Sequence, residues 1–542
     1  EEILIDNLAV NLTANRASSS LGQVVISADI DGNGTGTNRF TNALSISTNG
    51  GDVYIGGGNP EGTSYGNSTN WQGIEFTGLT INTNGGDVNI RGETDTASGL
   101  RFASSTTINT SGGNVYMRGE TEGDAGIYFV SDTDINSGSG TIYLEGYNTT
   151  SSSYYGIYTN ASYDHTFQSS NTTAEAMKFV GHSDNGRGLQ LYGDVKIHAT
   201  GNSGGITLES NGSAGSDYGI LFSGGSTGAE ILASSGQILL DVKQATTTED
   251  LYINNNVYFG SKSGTAVASS SANIVIRGNQ FDFEEHNPAI ATTGTFTLEP
   301  VSTSNSFSHS IETYWWNFNQ NSHTLSGITL GKSTNTSVVT LDTDITANGA
   351  VTVYGSTVNL YSNITSSGAG DITISASTKI EDNTTRRSIT NSSGDIYLIA
   401  DSDGVGQLDI GYLTLDAGSD DLIIRSSTFS WSTASNTYKP WINGTGGVTI
   451  ESTGTAFGQA VDIRWFYWNQ DSNQISSLTI GKSTNTQNIY LSNVAAYGDA
   501  GDNVTFNDVV SGRQIKLTNT IKFSDFWKYE SSGINPSGLP NP

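Results

Sequence analysis

Four segments of this 542-residue chain repeat one pattern: LSISTNGGDVYIGG at 44–57, LTINTNGGDVNIRG at 79–92, TTINTSGGNVYMRG at 106–119 and TDINSGSGTIYLEG at 133–146. Their starts lie 35, 27 and 27 residues apart. A second marker runs between them: GIEF at 73, GLRF at 99, GIYF at 126, GIYT at 156, GLQL at 188 and GILF at 219. Each unit of roughly 27–32 residues thus holds three short apolar segments separated by glycine-rich turns. Within a segment, apolar residues alternate with Thr, Asn, Asp or Tyr, the period of a half-buried strand. No stretch of ten residues or more has helical periodicity. One such unit cannot bury its own apolar row, so units must stack until the row becomes a continuous core. The pattern predicts an all-β chain folded as a right-handed parallel β-helix, or β-solenoid, of roughly 15–20 rungs. At ~4.8 Å per rung this is a rod on the order of 70–100 Å long.

The second half carries a longer repeat. Residues 306–341 align without gaps to 456–491, an offset of 150. Short β units such as GDITISAST (370–378) and GDIYLIADS (394–402) lie between the copies. The expected organisation is a capping or pairing strand region at 1–40, a solenoid of 27–32-residue rungs at 41–250, a solenoid with the duplicated unit at 251–523, and a tail at 524–542. The change of repeat style falls near 250–295.

Composition narrows the function classes. There are 52 acidic residues against 23 basic, net −29. Phosphate binding needs clustered Lys and Arg, so nucleic acid is not an expected partner. Anionic lipid is disfavoured for the same reason. With no Cys there is no disulfide, no Cys-based zinc site and no Cys nucleophile. No apolar run approaches the length of a membrane span, so membrane insertion is not expected. The opening EEILIDNLAV lacks the basic and apolar regions of a signal peptide.

Two copies of Gly-Lys-Ser-Thr, at 331–334 and 481–484, copy the end of a phosphate-binding loop. That loop needs a glycine five residues before the second one and a helix after it. Ser326 and Ser476 occupy the glycine position, and β-branched alternating residues follow. A polar turn between two strands is the better reading. Asp29, Asp31 and Asn33 in DIDGNG have the spacing of the first half of a calcium loop, but Phe40 stands where the bidentate acid belongs. A glycine-rich turn with solvated acids is preferred there; calcium is the one ion the pattern suggests, and no other cofactor is expected. The cluster Asp282, Glu284, Glu285 and His286 reads as an exposed loop, because Glu284 and Glu285 are neighbours and would point to opposite faces of a strand.

Seven of the eight Trp residues lie after residue 300. In YWWNFNQ and RWFYWNQ, alternation puts Trp316 and Phe318, with Phe466 and Trp468, on one face, and Trp315 and Asn319, with Trp465 and Asn469, on the other. The first face suits an internal aromatic layer. The second is either packing under a loop or a glycan-binding pair, Trp to stack on a sugar ring and Asn to hydrogen-bond its hydroxyls.

The NGGDVNIRG rungs and the paired SGITLGKSTNT and SSLTIGKSTNT units resemble those of the filamentous-haemagglutinin-like bacterial surface adhesins. The resemblance covers roughly residues 40–520. It implies a secreted rod that serves as a scaffold for adhesion or matrix building. The family's secretion-domain sequence is not recognisable at the start of this chain. The expected function is an extracellular structural or adhesive protein without catalysis. Its expected partners are other copies, head to tail through an open edge at Ile3, Ile5, Leu8 and Val10, and cell-surface or matrix glycans. The alternative is a glycan-binding or polysaccharide-degrading β-helix protein.

Overall fold

The computed structural model describes residues 23–28, 36–57, 64–65, 71–149, 154–212, 218–243, 249–283, 286–301, 305–400, 406–430, 439–462, 466–468, 475–482, 484–487 and 489–491. It also describes the backbone of strands Ile3–Ile5, Val10–Ala14, Asn503–Phe506 and Lys516–Leu517. Among these residues the chain is all-β, with parallel sheets stacked as a β-solenoid of about 14 turns. The count falls just under the expected range. The only helical elements described are the single 3-10 turns Thr313–Trp315 and Gln320–Ser322. None is long and apolar enough to cross a membrane.

Two compact units divide the chain: Glu1–Ser304 with Trp315–Thr324, and Asn305–Tyr314 with Leu325–Pro542. The division falls close to residue 304, beyond the 250–295 region where the repeat style changes.

In the first unit every turn supplies one strand to each of three parallel sheets. The first runs from Ile3–Ile5 through Asn38–Phe40, Ile74–Phe76, Leu100–Phe102 and Ala125–Phe129 to Phe281–Asp282, and the second from Val10–Ala14 through Leu44–Thr48 to Ala289–Ala291. Each has ten strands. The described strands Ile3–Ile5 and Val10–Ala14 belong to the same sheets as the later rungs. The third sheet runs from Val24–Ala28 through Val88–Thr94, Val115–Thr121, Ile142–Asn148 and Met177–Ser183 to Thr295–Glu299. Register follows the repeat: Val88 sits beside Val115 and Val115 beside Ile142. Like residues consequently stack on like. Phe40, Phe76, Phe102 and Phe129 form an internal column with ring centroids 5.1, 5.3 and 4.9 Å apart, all fully buried.

Corners need glycine. Gly92, Gly119, Gly146 and Gly181 fall in register on the inward side of the third sheet. A Cβ on Gly119 would run into the carbonyl oxygen of Gly126, and one on Gly181 into that of Gly188. Two backbones approach where a side chain would otherwise lie.

Polar residues at the turns are satisfied by the neighbouring rung. Asp52 Oδ1 accepts from Asp87 N (2.9 Å), Asp87 Oδ1 from Asn114 N (2.7 Å) and Asn114 Oδ1 from Thr141 N (2.9 Å). Buried Thr83 and Thr110 donate both within their own turn, to Gly86 O and Gly113 O, and to the next, at Thr110 O and Ser137 O. This meets the rule that buried polar groups are paired.

The second unit keeps three faces but fuses two of them. Strand Val351–Leu360 pairs with Ile328–Leu330 through its first residues and with Val339–Leu341 through its last. Its register to Ile372–Asp382 shifts between Gly355 and Thr357, so one long strand bends around a corner. The remaining face is a six-stranded sheet from Ile345–Ala347 to Tyr467–Trp468. The carboxylate ladder recurs: Asp371 accepts from Asp395 N (3.0 Å), Asp395 from Asp421 N (2.9 Å) and Asp421 from Gly447 N (2.9 Å).

Candidate functional site

The first Gly-Lys-Ser-Thr string is a turn, and the described residues of the second, Gly481, Lys482 and Thr484, hold the same place after a strand. Gly331 and Gly481 have φ of 83° and 84° and each ends a strand, Gly327–Leu330 and Ser477–Ile480. The organising residue is the buried Asn that follows. Asn335 accepts from Ser306 Oγ (2.9 Å) and Ser337 N (3.1 Å) and donates to Tyr354 O (2.8 Å). Asn485 repeats the theme, accepting from Phe457 N (3.3 Å) and Gln487 N (3.1 Å). A strand follows each turn, so there is no helix N-terminus to hold a phosphate.

Of the two expected glycan pairs, Trp315 with Asn319 falls within the described residues. Trp315 ends a 3-10 turn and lies edge-on to Phe283, 5.8 Å between centroids. Asn319 has left-handed φ of 58° and precedes a second 3-10 turn. The pair therefore shares no strand face. The cause is packing: Trp316, 1% exposed, inserts between Phe283 and Phe296 at 4.9 and 5.1 Å, and this cluster rather than a ladder sets the backbone. The internal aromatic row stands as expected in Trp316, Phe318 and Phe466, all buried. Trp465 and Asn469 lie outside the described residues, as do Asp29, Asp31, Asn33, Leu8, Glu284 and Glu285. Ile3, Ile5 and Val10 lie in strands paired in parallel with Asn38–Phe40 and Leu44–Thr48.

A different surface gathers polar and aromatic side chains. In the seven-residue strands of the third sheet, alternate residues point outward. Val88–Thr94 presents Asn89, Arg91 and Glu93; Val115–Thr121 presents Tyr116, Arg118 and Glu120; Ile142–Asn148 presents Tyr143, Glu145 and Tyr147; Met177–Ser183 presents Lys178, Val180 and His182. Register stacks these into columns. At the centre sits Glu145, 9% exposed. It accepts hydrogen bonds from the hydroxyls of Tyr147 (2.6 Å), Tyr116 (2.9 Å) and Tyr143 (3.2 Å). Arg118 Nη1 lies 3.9 Å from the same carboxylate and Nη2 lies 3.0 Å from Glu120.

Burial, followed by the Glu145 carboxylate, pushes all three phenols above their ordinary range. Burial opposes the charge on Arg118, but Glu120 and Glu145 outweigh it and hold the guanidinium more firmly protonated. The tyrosines are thus neutral donors pinned to one carboxylate. Arg91 covers the Tyr116 ring at 4.9 Å and Arg118 covers Tyr147 at 4.9 Å. Beside Tyr143 an open groove of about 830 Å³ is lined by Tyr143, Thr173, Glu175 and Lys178 among others. Lys178 Nζ lies 3.5 Å from Glu175 and 3.6 Å from Glu209. The face therefore presents tyrosine rings whose hydroxyls are all fixed by the one carboxylate of Glu145. The period-2 reading of NVYMRGE and TIYLEGY already puts these tyrosines outward, and only the stacking of rungs gathers them around Glu145.

In the second unit the carboxyl of Asp382 is perturbed. Asp382 accepts from Tyr412 N, and burial, reinforced by the Asp409 charge against the opposing pull of Tyr412 N–H and Arg386, raises its pKa to about 7. Arg386 instead reaches Leu413 O (3.0 Å) and Lys439 O (3.2 Å) and covers Trp441 at 4.3 Å. A carboxyl raised from 3.8 holds a proton in the folded chain that the unfolded chain releases. The ionisation penalty is full above about pH 7 and fades as pH falls toward 4. Asp382→Asn should therefore stabilise the protein at pH 8 by ~1–2 kcal/mol, after allowance for partial solvent screening. The gain should disappear below about pH 4, read by urea denaturation at several pH values. An unchanged or lowered midpoint at pH 8 would contradict this.

No protein-family model, curated protein or solved structure matches the chain.

Proposed function

We propose that this chain is an extracellular structural and adhesive β-solenoid that performs no catalysis. The observation that carries the reading is the use of its polar side chains. Asp52, Asp87 and Asn114 in the first unit, and Asp371, Asp395 and Asp421 in the second, each bind a backbone N–H of the next rung. Side chains committed to the stack make a scaffold, and one repeated bond lets such a scaffold grow. The net charge of −29 suits a surface that stays soluble at high density. The resemblance of the rungs to those of haemagglutinin-like adhesins supports the same reading. Labelling intact producing cells with a membrane-impermeant amine reagent tests it. The chain should be labelled before lysis; labelling only after lysis would overturn the proposal.

Head-to-tail assembly is the second element of the reading. Strands Ile3–Ile5 and Val10–Ala14 pair on one edge with the following rung. The opposite edge would take a strand of a neighbouring copy, a contact that repeats without closing. Removing residues 1–12 should abolish filaments in negative-stain electron microscopy. Filaments formed by the shortened chain would refute this assembly.

A further inference from the structure

We infer that the outer face of the third sheet in the first unit, around Tyr116, Tyr143 and Lys178, binds a neutral saccharide. The inference names a ligand class for the adhesive part of the reading above and rests on that reading only for its biological sense.

Three observations carry it. The first is shape. The groove of about 830 Å³ beside Tyr143 lies in the size range of small-molecule sites and is open at the surface, as a chain ligand requires. The second is preorganisation. Tyr116 and Tyr143 stand on adjacent rungs with ring centroids 5.3 Å apart, and Glu145 ties down both hydroxyls. Rings held this way lose little freedom when a ligand arrives. Sugar rings carry apolar C–H faces that would rest on the part of the Tyr143 ring lining the groove, beside Lys178 at 6.0 Å from that ring, while their hydroxyls find Thr173, Glu175 and Lys178 at the groove wall.

The third is charge. Arg91, Arg118 and Lys178 stand here with Glu93, Glu120, Glu145, Glu175 and Glu209. Carboxylates outnumber cations, and Arg118 and Lys178 are each shared between two of them. The two cations nearest the groove are thus largely compensated, and the chain as a whole carries −29. Uronate or sulfated polymers would be repelled, whereas a neutral sugar meets no electrostatic cost.

Affinity electrophoresis of the full chain through gels holding a neutral β-glucan, a neutral galactomannan or polygalacturonate tests this. At least one neutral polymer should retard the chain, with little change on added salt, and polygalacturonate should not. Tyr143→Ala should weaken retardation about tenfold, as loss of a central aromatic contact does. Tyr143→Phe, which keeps the ring and controls for folding, should stay within about threefold of the parent. Retardation by neither neutral polymer, retardation by polygalacturonate that salt abolishes, or full retention in Tyr143→Ala would each overturn the inference. Surface labelling of cells does not depend on any of these outcomes, so the two readings fail separately.

Discussion

Gly119→Ala should prevent the first unit from folding normally or cost it at least ~3 kcal/mol, far more than a methyl group costs in open space. Gly119 lies inside strand Val115–Thr121, with Gly92 below it and Gly146 above it in register. Its added Cβ would occupy the position of the Gly126 carbonyl oxygen and lie 3.1 Å from Leu100 N. Both obstacles are backbone, so no side chain can swing aside. Relief would mean moving two sheets apart at a corner, and the rungs on either side are held at the same spacing. Gly454→Ala is the matching control, because its Cβ would meet nothing nearer than Ser452 Oγ at 3.8 Å; it should change stability by less than ~0.5 kcal/mol. Urea denaturation followed by circular dichroism reads both variants. Equal midpoints would show that the corner is not as close as described.

Phe102→Ala should destabilise the first unit by ~3–5 kcal/mol. Its ring is fully buried and lies 5.3 Å from Phe76 and 4.9 Å from Phe129, near parallel to both. Removing it leaves a cavity the neighbours cannot fill, since each is fixed by its own rung, and it breaks two ring contacts worth ~0.5–1.5 kcal/mol apiece. Phe102→Leu keeps most of the volume and should cost about half as much. A loss under ~1 kcal/mol for the alanine variant would mean that the column is not a close-packed core.

Both expectations rest on features that differ in how far they can be read from residues alone. The Phe column is visible in GIEF, GLRF and GIYF, because a repeat of fixed length with Phe at a fixed place must stack Phe on Phe. The corner glycines are not. A glycine between apolar segments reads as a turn residue, yet Gly92, Gly119 and Gly146 are strand residues whose need is for space. That need exists only once another backbone passes, and the passing backbone belongs to a different sheet. The Asp and Asn ladders are hidden for a related reason: Asp87 looks like a solvated acid until the rung above places Asn114 N against it.

Alternation failed at Tyr314–Phe318. Aromatic residues there have the period of a strand, but the segment holds a 3-10 turn and one isolated bridge, Ala289 to Asn317. Without a ladder on either side, burial of Trp316 against Phe283 and Phe296 decided the backbone. The candidate site shows the converse. Each tyrosine around Glu145 was placed outward by its own strand, but Tyr116 comes from a different rung than Glu145, and register is a tertiary property.

The stacking itself can be tested by one cross-link. The chain has no Cys, so a designed pair has no competitor. Thr107 and Asp134 are exposed register partners on adjacent strands of the second sheet, 27 residues apart. In parallel neighbours their Cα atoms are ~4.8 Å apart, within the range a disulfide spans. T107C/D134C should oxidise to an intramolecular disulfide in the folded chain, while T107C/N136C, displaced by two positions along the strand, should not. Efficient oxidation of the displaced pair, or none of the matched one, would contradict parallel, in-register rungs.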